Sequence, residues 1–232
     1  MRNILFKIFF YFGLSLISII FLPALLLPKK TVLFGGRLFG YWSYICLKIF
    51  FSTRVIINGR ENILNNKDFF IACSHQSIFE TFYLQTIFNS PFFILKKELM
   101  NIPIFGWYLK KIDSIAINRN KITRENLDFI ERIKQTMKKT KRPFVIFPQA
   151  TRVLPDERVP FKKGVGRIYK ELDVCCQPVA IDSGKVWPKS GIIVPNKTIK
   201  ISILKPIENG MDEKEFVSLL EKKIYSALDQ ID

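Results

Sequence analysis

Histidine occurs once in the 232 residues, as His75, and cysteine only four times, as Cys46, Cys73, Cys175 and Cys176. No Cys-x-x-Cys or other metal-type spacing joins the thiols, which argues against both a zinc site and a disulfide framework, so no metal ligand set is expected. Unpaired thiols of this kind suit a reducing, cytoplasm-facing protein. A glycine-rich phosphate loop, an internal repeat and low-complexity segments are also missing. Acidic residues are scarce: 20 Asp and Glu stand against 36 Lys and Arg, a net charge of +16. Such an excess suits an anionic partner, whether nucleic acid, an acidic membrane surface or a phosphorylated substrate. The zinc-finger spacings and the aromatic RNA-binding motif are absent as well, so nucleic acid is not expected among the partners.

What the chain does have is apolar surface, 48% of its residues. The twenty residues from Ile8 to Leu27 carry no charge, between Arg2 and Lys7 on one side and Lys29 and Lys30 on the other. A helix of that length extends ~30 Å, about the hydrocarbon thickness of a bilayer. The run exceeds the roughly 7–15 residues of a signal-peptide core and has no small-x-small cleavage site, so it is expected to remain in the protein. A second apolar and aromatic stretch, Thr31 to Thr53, holds Arg37 and Lys48 and reads as amphipathic. Pro23 and Pro28 fall between the two and break or turn a helix. Two arrangements follow: a helical hairpin dipped into one leaflet with basic residues on the headgroups, or one true span. Positive charge on both flanks gives no clean inside/outside bias and favours the hairpin. Residues 1–54 are thus expected to be a membrane-anchoring segment and 55–232 a separate domain.

Beyond Asn58 the pattern alternates. Short apolar runs read as buried strands: Phe69–Cys73, Phe92–Leu95, Ser114–Asn118, Phe144–Phe147, Gln177–Ile181 and Lys197–Leu204. Between them, Lys121 to Thr140 places Leu127, Ile130, Ile133 and Met137 on one helical face. A last helix begins at Asp212, with Asp212 and Glu215 as a cap pair and Phe216, Leu219, Leu220 and Ile224 as its apolar stripe. Strands alternating with helices mean a layered α/β domain.

The one histidine stands five residues before Glu80, in "CSHQSIFET". Ser77 and Glu80 together spell a capping box, which explains the carboxylate without chemistry. The same geometry also permits a catalytic pair. If the helix starts near Ser77, the Glu80 side chain points back toward its N-terminus and can meet the imidazole just before it. A carboxylate on one ring nitrogen fixes the tautomer and leaves the other to take a proton from a hydroxyl. Both residues follow a buried strand, at the end of the sheet where α/β folds place their ligand crevices. A second cluster, "FPQATR" from Phe147 to Arg152, also follows a strand, and a guanidinium there suits an anion. Lys162, Lys163 and Arg167 lie close by in sequence. A third segment, Lys96 to Trp107, carries Pro103 and Gly106 and leads to Arg119 past another strand.

This set resembles the glycerolipid acyltransferases, in particular the 1-acylglycerol-3-phosphate acyltransferase branch, which is marked by four ordered blocks. His75 and Glu80 match the first; Lys97, Pro103, Gly106 and Arg119 the second; Phe147, Pro148, Thr151 and Arg152 the third; the apolar strand segment Gln177 to Gly184, around Pro178, the fourth. Three departures stand out. Glu80 replaces Asp and keeps its chemistry with one extra methylene. Gln149 replaces Glu. Ala150 replaces Gly, so a positive φ at that position is disfavoured.

The resemblance implies an acyltransferase-type α/β domain that moves a fatty acyl group from a thioester to the free hydroxyl of lysophosphatidic acid, giving phosphatidic acid. On that reading His75 is the base and Glu80 orients it. Lys97, Arg119 and Arg152 bind the acceptor phosphate, and Gln149, Ala150 and Thr151 shape the acceptor pocket. The nucleophile is the substrate's hydroxyl. No bound cofactor is implied; an acyl carrier protein or coenzyme A thioester is the co-substrate. The expected setting is the cytoplasmic face of the cell inner membrane, against an anionic surface. Other acceptors (glycerol-3-phosphate or a lyso-aminolipid), an inactive lipid-binding protein and a basic membrane scaffold are the alternatives.

Overall fold

The computed structural model describes residues 1–65, 68–117 and 128–231. Two long helices come first, α1 (Arg2–Ile20) and α2 (Lys29–Phe51), joined by a 3-10 turn at Leu22–Leu25. Pro23 sits in that turn and Pro28 is the N-cap of α2, so the prolines separate the helices as expected. The strands are β1 (Arg54–Asn58), β2 (Phe69–Cys73), β3 (Phe92–Lys96), β4 (Ile115–Ile117), β5 (Phe144–Ile146), β6 (Cys175–Ile181) and β7 (Thr198–Ile203). Among the described residues the further helices are α3 (Phe79–Ile87), α4 (Phe105–Lys111), α5 (Phe129–Thr140), α6 (Gly164–Leu172) and α7 (Glu213–Gln230). The helix expected over 121–140 is seen as α5 from Phe129; its first part, with Leu127, lies outside the described residues, as does Asn118 at the end of the expected third strand.

The seven strands form one mixed sheet in the order β1-β7-β6-β2-β5-β3-β4. Every neighbouring pair is parallel except β6 with β7. The central strand β2 is buried at all five residues, because helices cover both faces of the sheet. Its odd residues, Phe69, Ile71 and Cys73, share one core with Leu84 of α3 and with Phe6, Phe10, Leu47 and Phe51 of the first two helices. Phe70 and Ala72 face the other core, with Ile133 of α5, Tyr169 of α6 and Phe216 of α7. At the start of α7 the Asp212 carboxylate accepts from the backbone N–H groups of Lys214 and Glu215, so the aspartate caps the helix.

The α1–α2 hairpin is part of this core and not an outlying appendage. The Ile193 N–H donates to the Asn3 side chain at 2.9 Å, the Trp42 indole to Phe10 O at 3.1 Å, and the Tyr108 hydroxyl to Ser18 O at 2.6 Å. Phe6 and Phe10 both meet Trp187 edge-to-face with centroids 5.2 Å apart. Gly13 faces the Trp42 ring so closely that a Cβ would stand 2.1 Å from it, which is why a glycine sits there. The opposite face of α1 is left uncovered: Ile4, Ile8, Phe12, Ile19 and Ile20 are all exposed. This is a 19-residue helix long and apolar enough to cross a membrane, and it gives limited support for membrane association.

One polar node ties the hairpin to the sheet. The Asp113 carboxylate accepts from Lys29 at the start of α2 and from Arg142 at 2.7 Å; Arg142 is buried and also donates to the carbonyls of Ser90 and Ile112. Removing the carboxylate strands a buried guanidinium. Asp113 has φ +63, which asparagine tolerates as aspartate does, so Asp113→Asn isolates the charge and is expected to lower stability by about 2 kcal/mol, below the usual value for a broken buried pair because the carboxylate is one-fifth exposed and the amide oxygen still accepts. Denaturant unfolding checks this; a loss below about 0.5 kcal/mol, the size of an ordinary surface change, would contradict it.

Candidate active site

The site begins where β2 stops. The Ser74 N–H donates to Val179 O on the neighbouring β6, and its hydroxyl both donates to Ile181 O and accepts from Ile181 N–H. The chain is thereby fastened to β6 before it leaves the sheet, and His75, Gln76 and Ser77 bridge to α3. Glu80 lies in the first turn of α3 and is fully buried. Its Oε1 accepts from the Gln76 N–H at 2.7 Å, the Ser77 N–H at 2.7 Å and the His75 Nδ1–H at 3.0 Å. Its Oε2 accepts from the Ser183 hydroxyl at 2.7 Å. The Ser77 hydroxyl in turn accepts from the Phe79 N–H.

One half of the expected capping box, Glu80 accepting from the Ser77 N–H, thus shares its oxygen with the imidazole–carboxylate pair; the other half is altered, since α3 is capped at Ile78 and the Ser77 hydroxyl accepts from the Phe79 N–H and not from Glu80. An ionised carboxylate only accepts, so the proton between the two groups belongs to Nδ1, and Nε2 is bare in the neutral ring. Nε2 has no hydrogen-bond partner among the described residues. The ring lies nearly flat on Phe147, centroids 4.0 Å apart at 18°, and its side chain keeps 16% exposure. Val153 N–H donates to His75 O, which draws the loop after β5 against the loop after β2. Cys73, two residues before the histidine, is the nearest thiol in sequence. Burial and the Glu80 charge hold it well above the ordinary thiol range, so it stays protonated and is a poor nucleophile.

Parallel pairing brings several more residues to this edge. Strands β6, β2, β5 and β3 run side by side in the same direction, so the segments after their carboxyl ends share one rim. Ser183 follows β6, His75 follows β2, Phe147 to Arg152 follow β5, and Lys97 follows β3. Lys97 is exposed at the start of a 3-10 turn, two strands from His75, or about 10 Å at the usual strand spacing. Arg152 is partly exposed and makes no hydrogen bond or ion pair among the described residues. Arg119 lies outside the described residues. Arg167 is taken up by Glu171 on its own helix. Gly106 of the second block stands so close to Met100 O that a Cβ would be 2.1 Å away. A cleft at the opposite ends of the strands, lined by Arg60, Asp68, Phe69 and Pro143, lies away from the histidine.

The three residues expected to shape an acceptor pocket take different environments. Gln149 is buried, and neither amide atom has a hydrogen-bond partner of good geometry; the neighbouring Tyr225 hydroxyl, which it influences, donates to Val159 O. Thr151 is exposed. Ala150 has φ +60, the left-handed conformation its side chain disfavours, inside a turn closed by its N–H to Phe147 O. Two residues of this edge carry no role in the sequence reading. Phe147 forms the floor under the imidazole, and Ser183 reaches Glu80 from 103 positions away. Phe147 stands inside the "FPQATR" cluster, and Ser183 inside the fourth block, Gln177 to Gly184; block membership was the available signal, but nothing local gives either residue its role.

An acyltransferase family model matches residues 54–182. The 1-acyl-sn-glycerol-3-phosphate acyltransferase of Pseudomonas aeruginosa is 31% identical over 150 residues, 65% of this chain and 58% of that protein. The protein of the same description from Saccharomyces cerevisiae is 30% identical over 197 residues, 81% of this chain and 64% of that one. The chain thus spans about three-fifths of the length of these curated relatives. The crystal structure of the 1-acyl-sn-glycerophosphate (LPA) acyltransferase PlsC from Thermotoga maritima superposes with a TM-score of 0.82 at 24% identity, covering 100% of this chain and 98% of that one. That likeness establishes the fold.

The strain at Ala150 is testable. A left-handed alanine costs about 1–2 kcal/mol, of which the extra chain entropy of glycine returns about 0.5–1. Ala150→Gly is expected to raise stability by about 0.5–1 kcal/mol, or roughly 2 °C in thermal midpoint. An unchanged or lower midpoint would contradict the strain.

Proposed function

The chain belongs to the acyltransferase family, and from that premise we propose that it moves a fatty acyl group from a thioester to the sn-2 hydroxyl of 1-acyl-glycerol-3-phosphate, giving phosphatidic acid. The observation that carries this reading is the His75–Glu80 contact at 3.0 Å, with Nε2 unpartnered at the carboxyl edge of a parallel sheet. In the reaction, Nε2 takes the proton of the acceptor hydroxyl as its oxygen attacks the thioester carbonyl carbon. Glu80 stabilises the imidazolium that forms and keeps the ring in place. When the tetrahedral intermediate collapses, the C–S bond breaks, and the imidazolium returns its proton to the departing thiolate. No protein nucleophile takes part, which agrees with a protonated Cys73.

Arg152, Lys97 and Arg119 hold the acceptor phosphate, with Gln149, Ala150 and Thr151 shaping the wall of the acceptor pocket. Arg152 suits this role because its guanidinium has no other partner among the described residues. The donor is an acyl carrier protein or coenzyme A thioester. Both are acidic, and a net charge of +16 steers them to the protein. The hairpin within residues 1–54, which shares a core with residues 55–232, seats the protein on the cytoplasmic face of the cell inner membrane. The exposed apolar face of α1 lies in one leaflet and the flanking lysines on anionic headgroups. The tethers on Asn3, Phe10 and Ser18 favour a helix lying along the protein over one that leaves it to span the bilayer.

Membranes carrying the protein, supplied with labelled acyl thioester and lysophosphatidic acid, test the reading. Wild type is expected to form phosphatidic acid, and His75→Ala to be slower by about 10²–10⁴-fold. Glu80→Gln lowers turnover while the amide oxygen keeps the backbone cap. A wild type that forms no phosphatidic acid, or His75→Ala as fast as wild type, would overturn the proposal.

A further inference from the structure

The Glu80 carboxylate divides its hydrogen bonds unevenly. Oε1 takes three donors, two backbone N–H groups and the imidazole, whereas Oε2 takes one, the Ser183 hydroxyl at 2.7 Å. Both residues are fully buried, so no solvent stands in for a lost donor. Without Ser183, Oε2 is an unsatisfied charged acceptor in the interior, and nothing on that side fixes the rotation of the carboxylate plane.

The backbone around Ser183 is independently anchored. The Trp187 and Val186 N–H groups donate to Ser183 O, Gly184 N–H donates to the Gln76 side chain, and Lys200 N–H donates to the Asp182 carboxylate at 2.7 Å. The 3-10 turn Ser183–Lys185 is therefore fixed by bonds that do not involve the serine hydroxyl. Gln76 belongs to the same loop as His75, so this turn and the histidine loop are clamped to each other.

We propose that Ser183 is a positioning residue for the reaction: through Glu80 it sets the orientation of the carboxylate that holds His75, forming a chain Ser183–Glu80–His75 across 103 positions of sequence. This rests on the acyl-transfer reading. The hydroxyl does not meet substrate; it donates to a group that does not meet substrate either. Its effect therefore falls on the transition state, where the imidazolium forms, and not on binding.

In the phosphatidic acid assay, Ser183→Ala is expected to lower kcat about 10-fold, the size of one lost hydrogen bond to a charged group, with both KM values within about 2-fold. Added to Glu80→Gln, Ser183→Ala causes no further loss, because the two act as one unit. Ser183→Cys, which keeps the volume and weakens the donor, gives the same loss confined to kcat. An unchanged kcat, a loss confined to KM, or a full additional loss on top of Glu80→Gln would overturn the assignment. A second readout does not need turnover. The one histidine gives a single downfield Nδ1–H proton signal, and this moves in Ser183→Ala if the serine acts through the carboxylate; an unmoved signal overturns the proposal. A wild type without turnover would instead count against the acyl-transfer reading and leave this signal to decide the role of Ser183.

Discussion

A buried carboxylate with four donors is the constraint on which the site depends. Taking an ion of this size out of water costs several kcal/mol even after the protein relaxes, and only a full set of hydrogen bonds offsets it. Glu80 obtains that set from two backbone N–H groups, one hydroxyl and one imidazole. Each donor is thereby fixed in turn. The backbone at Gln76 and Ser77 must turn its N–H groups inward, α3 must start where it does, and the turn after β6 must approach from the far side. The imidazole is the one member whose second polar atom is left over, and the parallel sheet directs that atom to its carboxyl rim. Helix capping and the proposed chemistry are two uses of the same oxygen.

The rest of the fold supplies the rigid frame and the setting. Parallel strands side by side bring loops distant in sequence to one edge, and β2, buried on both faces, is a rigid place to begin such a loop. The hairpin of α1 and α2 adds its own side chains to one of the two cores, so the apolar face it leaves open is held at a fixed angle to the site. That exposed apolar face gives limited support for membrane association. Under the proposed function, a lipid acceptor would come from the leaflet beside it and an acidic donor from the side of the basic protein surface.

Much of this was legible in the sequence because the signals are local. The proline pair between two apolar runs, the reach of Glu80 back to the Ser77 N–H, the Asp212 cap and the short apolar runs each depend on a few neighbouring residues, and the structure has a feature for each, although α3 is capped at Ile78 and not at Ser77. The substitution of alanine for glycine at 150 makes a positive φ disfavoured there, yet Ala150 adopts one, inside the turn closed by its N–H to Phe147 O and followed by the Val153 N–H bond to His75 O. β1 went unread: its alternating exposure begins directly after α2 with no glycine or proline to mark the boundary, and its pairing is with β7, late in the chain. Ser183 was unreadable for the same reason carried further, since its meaning lies in a contact with a residue in another block. Gln149 reads as a polar pocket residue and is buried, because burial is decided by what packs above a loop and not by the loop's own residues.

The central claim is that Glu80 holds the lone imidazole with Nδ1 protonated and Nε2 open. Because there is one histidine, the protein labelled with nitrogen-15 at histidine gives a single pair of ring nitrogens in a long-range proton–nitrogen spectrum. The account predicts that the neutral ring shows the proton on Nδ1 and a bare Nε2. A neutral ring carrying its proton on Nε2, or one exchanging freely between the two forms, would contradict it.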